Sequence, residues 1–90
     1  MEVFFKPTFL KDFKALPPRV KRELRYVCTE VFPNTEDIRN LSAYDIKPLR
    51  GFVAYYRLRM GEYRVGFKRE GRKVIFMRVR NRKDVYKSFP

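Results

Sequence analysis

The chain has 90 residues, with 22 Lys or Arg against 10 Asp or Glu, for a formal charge of +12 and a pI near 10.3. At this length only about 60–65% of the unfolded surface can be hidden, which excludes a second domain and leaves one modest core in a single domain, 1–90. Hydrophobic residues at 44% and aromatics at 17% separate it from disordered basic tails of similar charge, and the excess of cations calls for an anionic partner.

From the N-terminus, Val3-Phe4-Phe5 before Lys6-Pro7 predicts a short strand stopped by proline. Thr8 is the expected N-cap of a first helix, in which Phe9, Phe13 and Leu16 share one face. Pro17-Pro18 ends it, and Pro18 suits the first turn of a second helix, where Val20, Leu24, Val27 and Val31 recur at helical spacing up to Pro33. The two make a helical hairpin of the kind that covers a sheet. Cap-like Asn34 or Thr35 and apolar Ile38 and Leu41 predict one or two helical turns, and Ser42 to Gly51 reads as a connector.

From Phe52 the period changes to two. Strands are expected near 53–60, 63–69 and 73–80, joined by tight turns at Met60-Gly61-Glu62 and Glu70-Gly71-Arg72 into an antiparallel meander. Asp84 to Phe89 closes the chain as a short turn or helix. The fold class is therefore α+β: an N-terminal helical hairpin on one face of a mainly antiparallel sheet of about four strands.

Alternation along a strand assigns faces. Tyr56, Leu58 and Met60, then Tyr63, Val65 and Phe67, then Ile75, Met77 and Val79 make the apolar face; Tyr55, Arg57 and Arg59, then Arg64, Gly66 and Lys68, then Val74, Phe76, Arg78 and Arg80 make the other. Five guanidiniums, Arg57, Arg59, Arg64, Arg78 and Arg80, thus approach one another across three strands. Like charges facing each other destabilise a strand pair, so a polyanion is the expected occupant. Lys6, Lys11, Lys14, Arg19, Lys21, Arg22 and Arg25 are instead read as an ordinary solvated surface. Tyr55, Tyr86 and Phe76 offer rings for splayed bases, although Phe76 fits plain sheet packing equally well.

The chain has no histidine and a single cysteine, which removes zinc and imidazole chemistry; Cys28 reads as a small buried hydrophobe and cannot form an internal disulfide. Glu62 lies in a turn, and Asp37, Asp45 and Asp84 are isolated, so neither a two-carboxylate hydrolase nor a magnesium nuclease is supported, and no cofactor or metal is expected. What remains is charge stabilisation of phosphate: arginines held in a groove that grip a phosphodiester while the neighbouring 2′-hydroxyl attacks it. Tyr86, or a lysine such as Lys47, Lys68 or Lys83, serves as base there only with a strongly shifted pKa. The start MEVFFKPTF has no basic segment followed by an apolar one, and no apolar run reaches about 20 residues, so a cytoplasmic location is expected and membrane binding ranks low.

The stretch YYRLRMGEYRVGFKREGRKVIFMRVRNRKDVY resembles the C-terminal half of the RelE/ParE toxin superfamily, whose R-x-R-x-G-x-Y-R hairpin leads to a strand and a basic R-x-R-x-x-x-Y tail. The preceding LRGF and the order of helical hairpin and sheet fit as well. The resemblance implies the toxin of a type II toxin–antitoxin pair and, on the RelE-like branch, a ribosome-dependent endoribonuclease that cuts mRNA in the A site. It implies catalytic positions at Arg57, Arg59, Arg64, Arg80 and Tyr86, with Arg64 and Arg80 on phosphate or leaving group and Tyr86 stacking a base. Tyr55, Lys68, Arg78, Arg82 and Lys83 complete the expected RNA-binding set. Arginine stands at 57 and 59, where well-studied relatives carry lysine, and Asn81 where many carry histidine. The implied partners are a cognate antitoxin protein, the 70S ribosome and mRNA. A ParE-like inhibitor of DNA gyrase, or a basic RNA- or ribosome-binding protein without activity, is the alternative.

Overall fold

Pro7 decides the first junction: it closes the strand before it and opens the helix after it. In the computed structural model, which describes residues 1–90, β1 spans Glu2–Phe5 and α1 Pro7–Lys14. Lys6, not Thr8, is the N-cap, and the Thr8 hydroxyl instead donates to the Met77 carbonyl at 2.9 Å. The second helix, α2, runs Pro18–Tyr26 and continues as a π-helical turn, Val27–Val31. There the Thr29 hydroxyl donates to the Arg25 carbonyl at 2.7 Å, a back-bond that competes with the regular ladder. The expected turn after Pro33 is a 3₁₀ helix, Ile38–Asn40, capped by the Asp37 side chain.

The sheet has five strands rather than about four, in the order β1-β5-β4-β3-β2, with β1 parallel to β5 and the other pairs antiparallel. β3 is Tyr55–Met60, β4 Tyr63–Glu70 and β5 Lys73–Asn81. The additional strand, β2, is Asp45–Pro48, inside the stretch expected to be a connector. It has four residues, ends on a proline and lies at the sheet edge, where proline is tolerated. So short a segment has no alternation to read.

Leu24, Val27 and Phe32 from the helical layer meet Leu58, Val65, Phe67, Val74, Phe76 and Val79 from the sheet, all fully or almost fully buried. The Phe76 ring is central, with centroids 5.2 Å from Phe32, 5.5 Å from Phe9, 5.7 Å from Phe67 and 5.8 Å from Phe5. This overturns the expected parity of β5. Gly66 pairs with Arg78 while Phe67 pairs with Phe76, so Met77 is an extra residue in β5, a bulge. Before it Val74 and Phe76 face the core; after it Val79 does. One inserted residue lets both halves of the strand bury their large side chains, which strict alternation forbids.

The bulge lies where β1 ends, its last pair being Phe5 with Phe76. Beyond that point α1 covers the edge of β5. The Asp12 carboxylate accepts from Arg78 Nε at 2.8 Å, from Arg78 Nη2 at 3.1 Å and from the Val79 backbone N–H at 3.1 Å. A donor that the missing strand would have paired is thereby satisfied. No helix is long and apolar enough to cross a membrane.

Candidate nucleic-acid interface

Two tight hairpins fix the geometry of the face opposite the helices. Gly61, with φ of 57°, begins the two-residue loop from β3 to β4, and Gly71, with φ of 61°, begins the one from β4 to β5. Loops this short leave no slack in register, and the bulge at Met77 then shifts β5 by one residue against β4 beyond Phe67. One cross-strand row then reads Asp45, Arg59, Arg64, Arg80, and the next reads Lys47, Arg57, Gly66, Arg78. Tyr55 and Lys68 form a third. Strands lie about 4.8 Å apart, and rows two residues apart are separated by about 6.7 Å.

Arg59, Arg64 and Arg80 are therefore immediate neighbours on three strands. None of the three forms an ion pair. Arg64 Nη1 donates to the Gly61 carbonyl at 2.7 Å and the Tyr63 carbonyl at 3.0 Å, and Arg80 Nη1 to the Ser88 hydroxyl at 3.3 Å. Arg59 is exposed. Asp45, the acid nearest in register, is engaged by Arg57, whose Nη1 lies 3.2 Å from its Oδ1.

The other expected residues are placed differently. Arg78 is turned away to Asp12 and serves the helix–sheet junction. Arg82 pairs with Glu62 at 2.9 Å, which ties the tail to the β3–β4 turn. Lys68 lies 3.1 Å from Glu70 and 5.3 Å from the centre of the Tyr55 ring. The hydrogen bond that Lys68 donates to Glu70 pushes the Lys68 pKa up from its ordinary value, the direction opposite to the one a general base needs. Tyr55 packs edge-on against Phe52 and Phe89, at 6.2 and 5.8 Å, so its ring is occupied within the protein. Lys83 and Tyr86 are exposed on the C-terminal turn, Tyr86 by 49%. Cys28 is buried, as its position suggested, and burial pushes its thiol up to about 12.

Two features escape a reading by pattern. Lys11, assigned to a solvated surface, lines a recess of about 320 Å³ together with Thr8, Asp12, Arg78 and Arg80, at the β5 end of the arginine row. The C-terminal segment also folds back over the face expected to be open: a 3₁₀ turn, Val85–Lys87, contacts β4 and β5, and Val85 and Phe89 are buried outside the main core cluster. The sequence held one sign of this, since Gly66 is a glycine inside a strand rather than in a turn, and such a glycine marks a close approach.

Comparison with known proteins places this geometry. Residues 3–86 match the family described as the ParE toxin of type II toxin–antitoxin systems, parDE. The chain is 38% identical over 90 residues to Toxin RelE3 of Methanocaldococcus jannaschii, covering all of both chains. It is similar to the RelB–RelE antitoxin–toxin complex from Methanococcus jannaschii, with a TM-score of 0.82 and 37% identity over 97% of this chain and 99% of that one. The RelBE2 toxin–antitoxin complex of Mycobacterium tuberculosis gives 0.68 and 26% over 92% of each. The isolated RelE toxin of E. coli gives 0.66 at 22% identity, over 96% of this chain and 90% of that one, a likeness of fold.

Proposed function

We propose, since this chain belongs to the ParE toxin family of type II toxin–antitoxin systems and to its RelE-like branch, that it is a ribosome-dependent endoribonuclease acting on mRNA in the A site. The observation that carries this reading is the row of Arg59, Arg64 and Arg80, adjacent in register and free of carboxylate partners. Three arginines on adjacent strands, a row about 10 Å long, span a scissile phosphodiester and its neighbour along the backbone, and a planar fork suits phosphate oxygens better than an ammonium does.

In this reading the 2′-oxygen attacks the adjacent phosphorus, forming the 2′-O–P bond as the P–O5′ bond breaks. The products are a 2′,3′-cyclic phosphate and a 5′-hydroxyl. Arg64 and Arg80 hold the non-bridging oxygens as charge builds, Arg59 holds the neighbouring phosphate, and Arg57 with Lys47 extends the basic track by one row. Tyr86 stacks on a base beside the cut, and Lys83 follows the backbone. The 2′-hydroxyl gives up its proton to water and the departing 5′-oxygen takes one up from water; Lys68, whose pKa Glu70 raises, is not the acceptor. The ribosome supplies the constrained message, and a cognate antitoxin, an acidic or amphipathic segment ordered on binding, silences the site.

Purified protein added to ribosomes programmed with a defined message should leave 5′ ends inside the A-site codon. Intact message accompanied by gyrase-dependent DNA damage would replace this reading with gyrase inhibition. Intact message and intact DNA, with the protein bound to ribosomes, would leave a binding module.

A further inference from the structure

The C-terminal segment is attached to the sheet by one contact that no function yet explains. Phe89 is 4% exposed, although it lies one residue from the end of the chain. Its ring sits on Gly66, in the row between the arginines and Tyr55, and a methyl group built on Gly66 would lie 2.7 Å from three of its ring carbons. On one side it meets the Tyr55 ring at 5.8 Å. Val85, 1% exposed, is the second buried anchor of the segment. Between the two stand Tyr86, pointing to solvent, and Ser88, which accepts from Arg80 Nη1 at 3.3 Å.

We infer that Phe89 and Gly66 form a clamp that positions Tyr86 and Arg80 for their substrate. Phe89 is a positioning residue: its ring touches no nucleotide, and it acts by fixing the turn that carries Tyr86 and the hydroxyl that orients Arg80. Gly66 is the seat, because any side chain there would meet the ring. The bare strand at Gly66 is thus a docking groove for this chain's own C-terminus, set within the basic face. The inference rests on the nuclease reading for its consequence, and on geometry alone for the clamp.

Two variants reach the clamp from opposite sides. Phe89→Ala removes the ring, and Gly66→Ala displaces it while leaving all site residues unchanged; Gly66 has an ordinary φ, so alanine costs the strand nothing in conformation. In both, amide hydrogen exchange at Lys87 and Ser88, whose N–H groups are bonded to Asp84 and Val85, should speed up at least tenfold, with the β3–β4 and β4–β5 amides unchanged. Exchange at wild-type rates in both variants would overturn the clamp, whatever the protein does to mRNA. On programmed ribosomes each variant should lose roughly ten- to a hundredfold in kcat, as expected for a reacting group displaced by about 1 Å, with KM little altered. In a background carrying both Tyr86→Ala and Ser88→Ala, Phe89→Ala should cost no more than about twofold further, because both contacts through which it acts are already gone. Losses that multiply independently would assign Phe89 to general stability and overturn the positioning role. If the wild-type protein leaves message intact, the nuclease reading falls and hydrogen exchange alone decides the clamp.

Discussion

Arg80→Ala is expected to reduce cleavage of ribosome-bound mRNA by at least 10²- to 10³-fold in kcat, the loss usual when one preorganised donor to a developing oxyanion is removed, while leaving the protein as stable as before or slightly more so. The activity side follows from position. Arg80 ends the row, pairs in register with Arg64, and has only a 3.3 Å bond to a serine hydroxyl as an internal partner. The stability side follows from the same isolation. Like charges on facing residues destabilise a strand pair, so deleting one relieves repulsion, which offsets the loss of the one long hydrogen bond to Ser88. Arg80→Lys should fall between wild type and alanine, since it keeps the charge and loses the planar fork. By contrast, Arg78→Ala should act mainly on stability, because its guanidinium is spent on Asp12. A fall in melting temperature for Arg80→Ala comparable to that of Arg78→Ala would show Arg80 to be a structural residue.

Phe76→Ala carries the largest expected cost to the fold. Its ring is fully buried and contacts the rings of Phe5, Phe9, Phe32 and Phe67, which come from β1, from α1, from just beyond the π turn, and from β4. Truncating such a residue costs about 3–5 kcal/mol, a large share of the 5–15 kcal/mol that holds a small domain together. For a domain of this size, thermal or urea denaturation should show a fall of about 15–30 °C in melting temperature. A fall of only a few degrees would mean that the ring is not in the core, and would revive the base-stacking role its alternation had suggested.

That pair of residues shows where the sequence is legible. The two-residue turn at Gly61 was enough to align Arg59 with Arg64, but strict pairing from the turn at Gly71 sets Arg64 opposite Val79, and it is the bulge at Met77 that brings Arg80 opposite Arg64. Alternation failed at Val74 and Phe76, which face the core, and held for Arg78 and Arg80 beyond the bulge. A bulge has no residue type of its own at Met77; it arises because β1 ends opposite Phe76 and α1 must then meet the strand, a tertiary event. β2 was missed for a similar reason, since four residues ending in proline pair only because β3 offers an edge. The C-terminal clamp was half visible: Gly66 announced a close approach, but nothing local says that the approaching group is Phe89, 23 positions downstream.

The acids show a further limit. Composition counts 22 cations and 10 acids without saying which of them meet. The fold directs Asp12 to Arg78, Asp45 to Arg57, Glu62 to Arg82 and Glu70 to Lys68, and leaves the middle row unpaired. Five guanidiniums on one face become three adjacent ones without partners. That concentrates the unpaired charge in one row across three strands rather than spreading it over the sheet.

The claim on which the account depends is that this row grips a phosphodiester while its own 2′-hydroxyl attacks. The direct measurement is cleavage of a message carrying a single 2′-deoxyribose at the expected position of attack in the A-site codon, on programmed ribosomes, with the products mapped at nucleotide resolution. The account predicts that the substituted message survives, while the all-ribose message yields a 2′,3′-cyclic phosphate and a 5′-hydroxyl at that position. Cleavage of the deoxy-substituted message at the same phosphodiester and at an unchanged rate would contradict it.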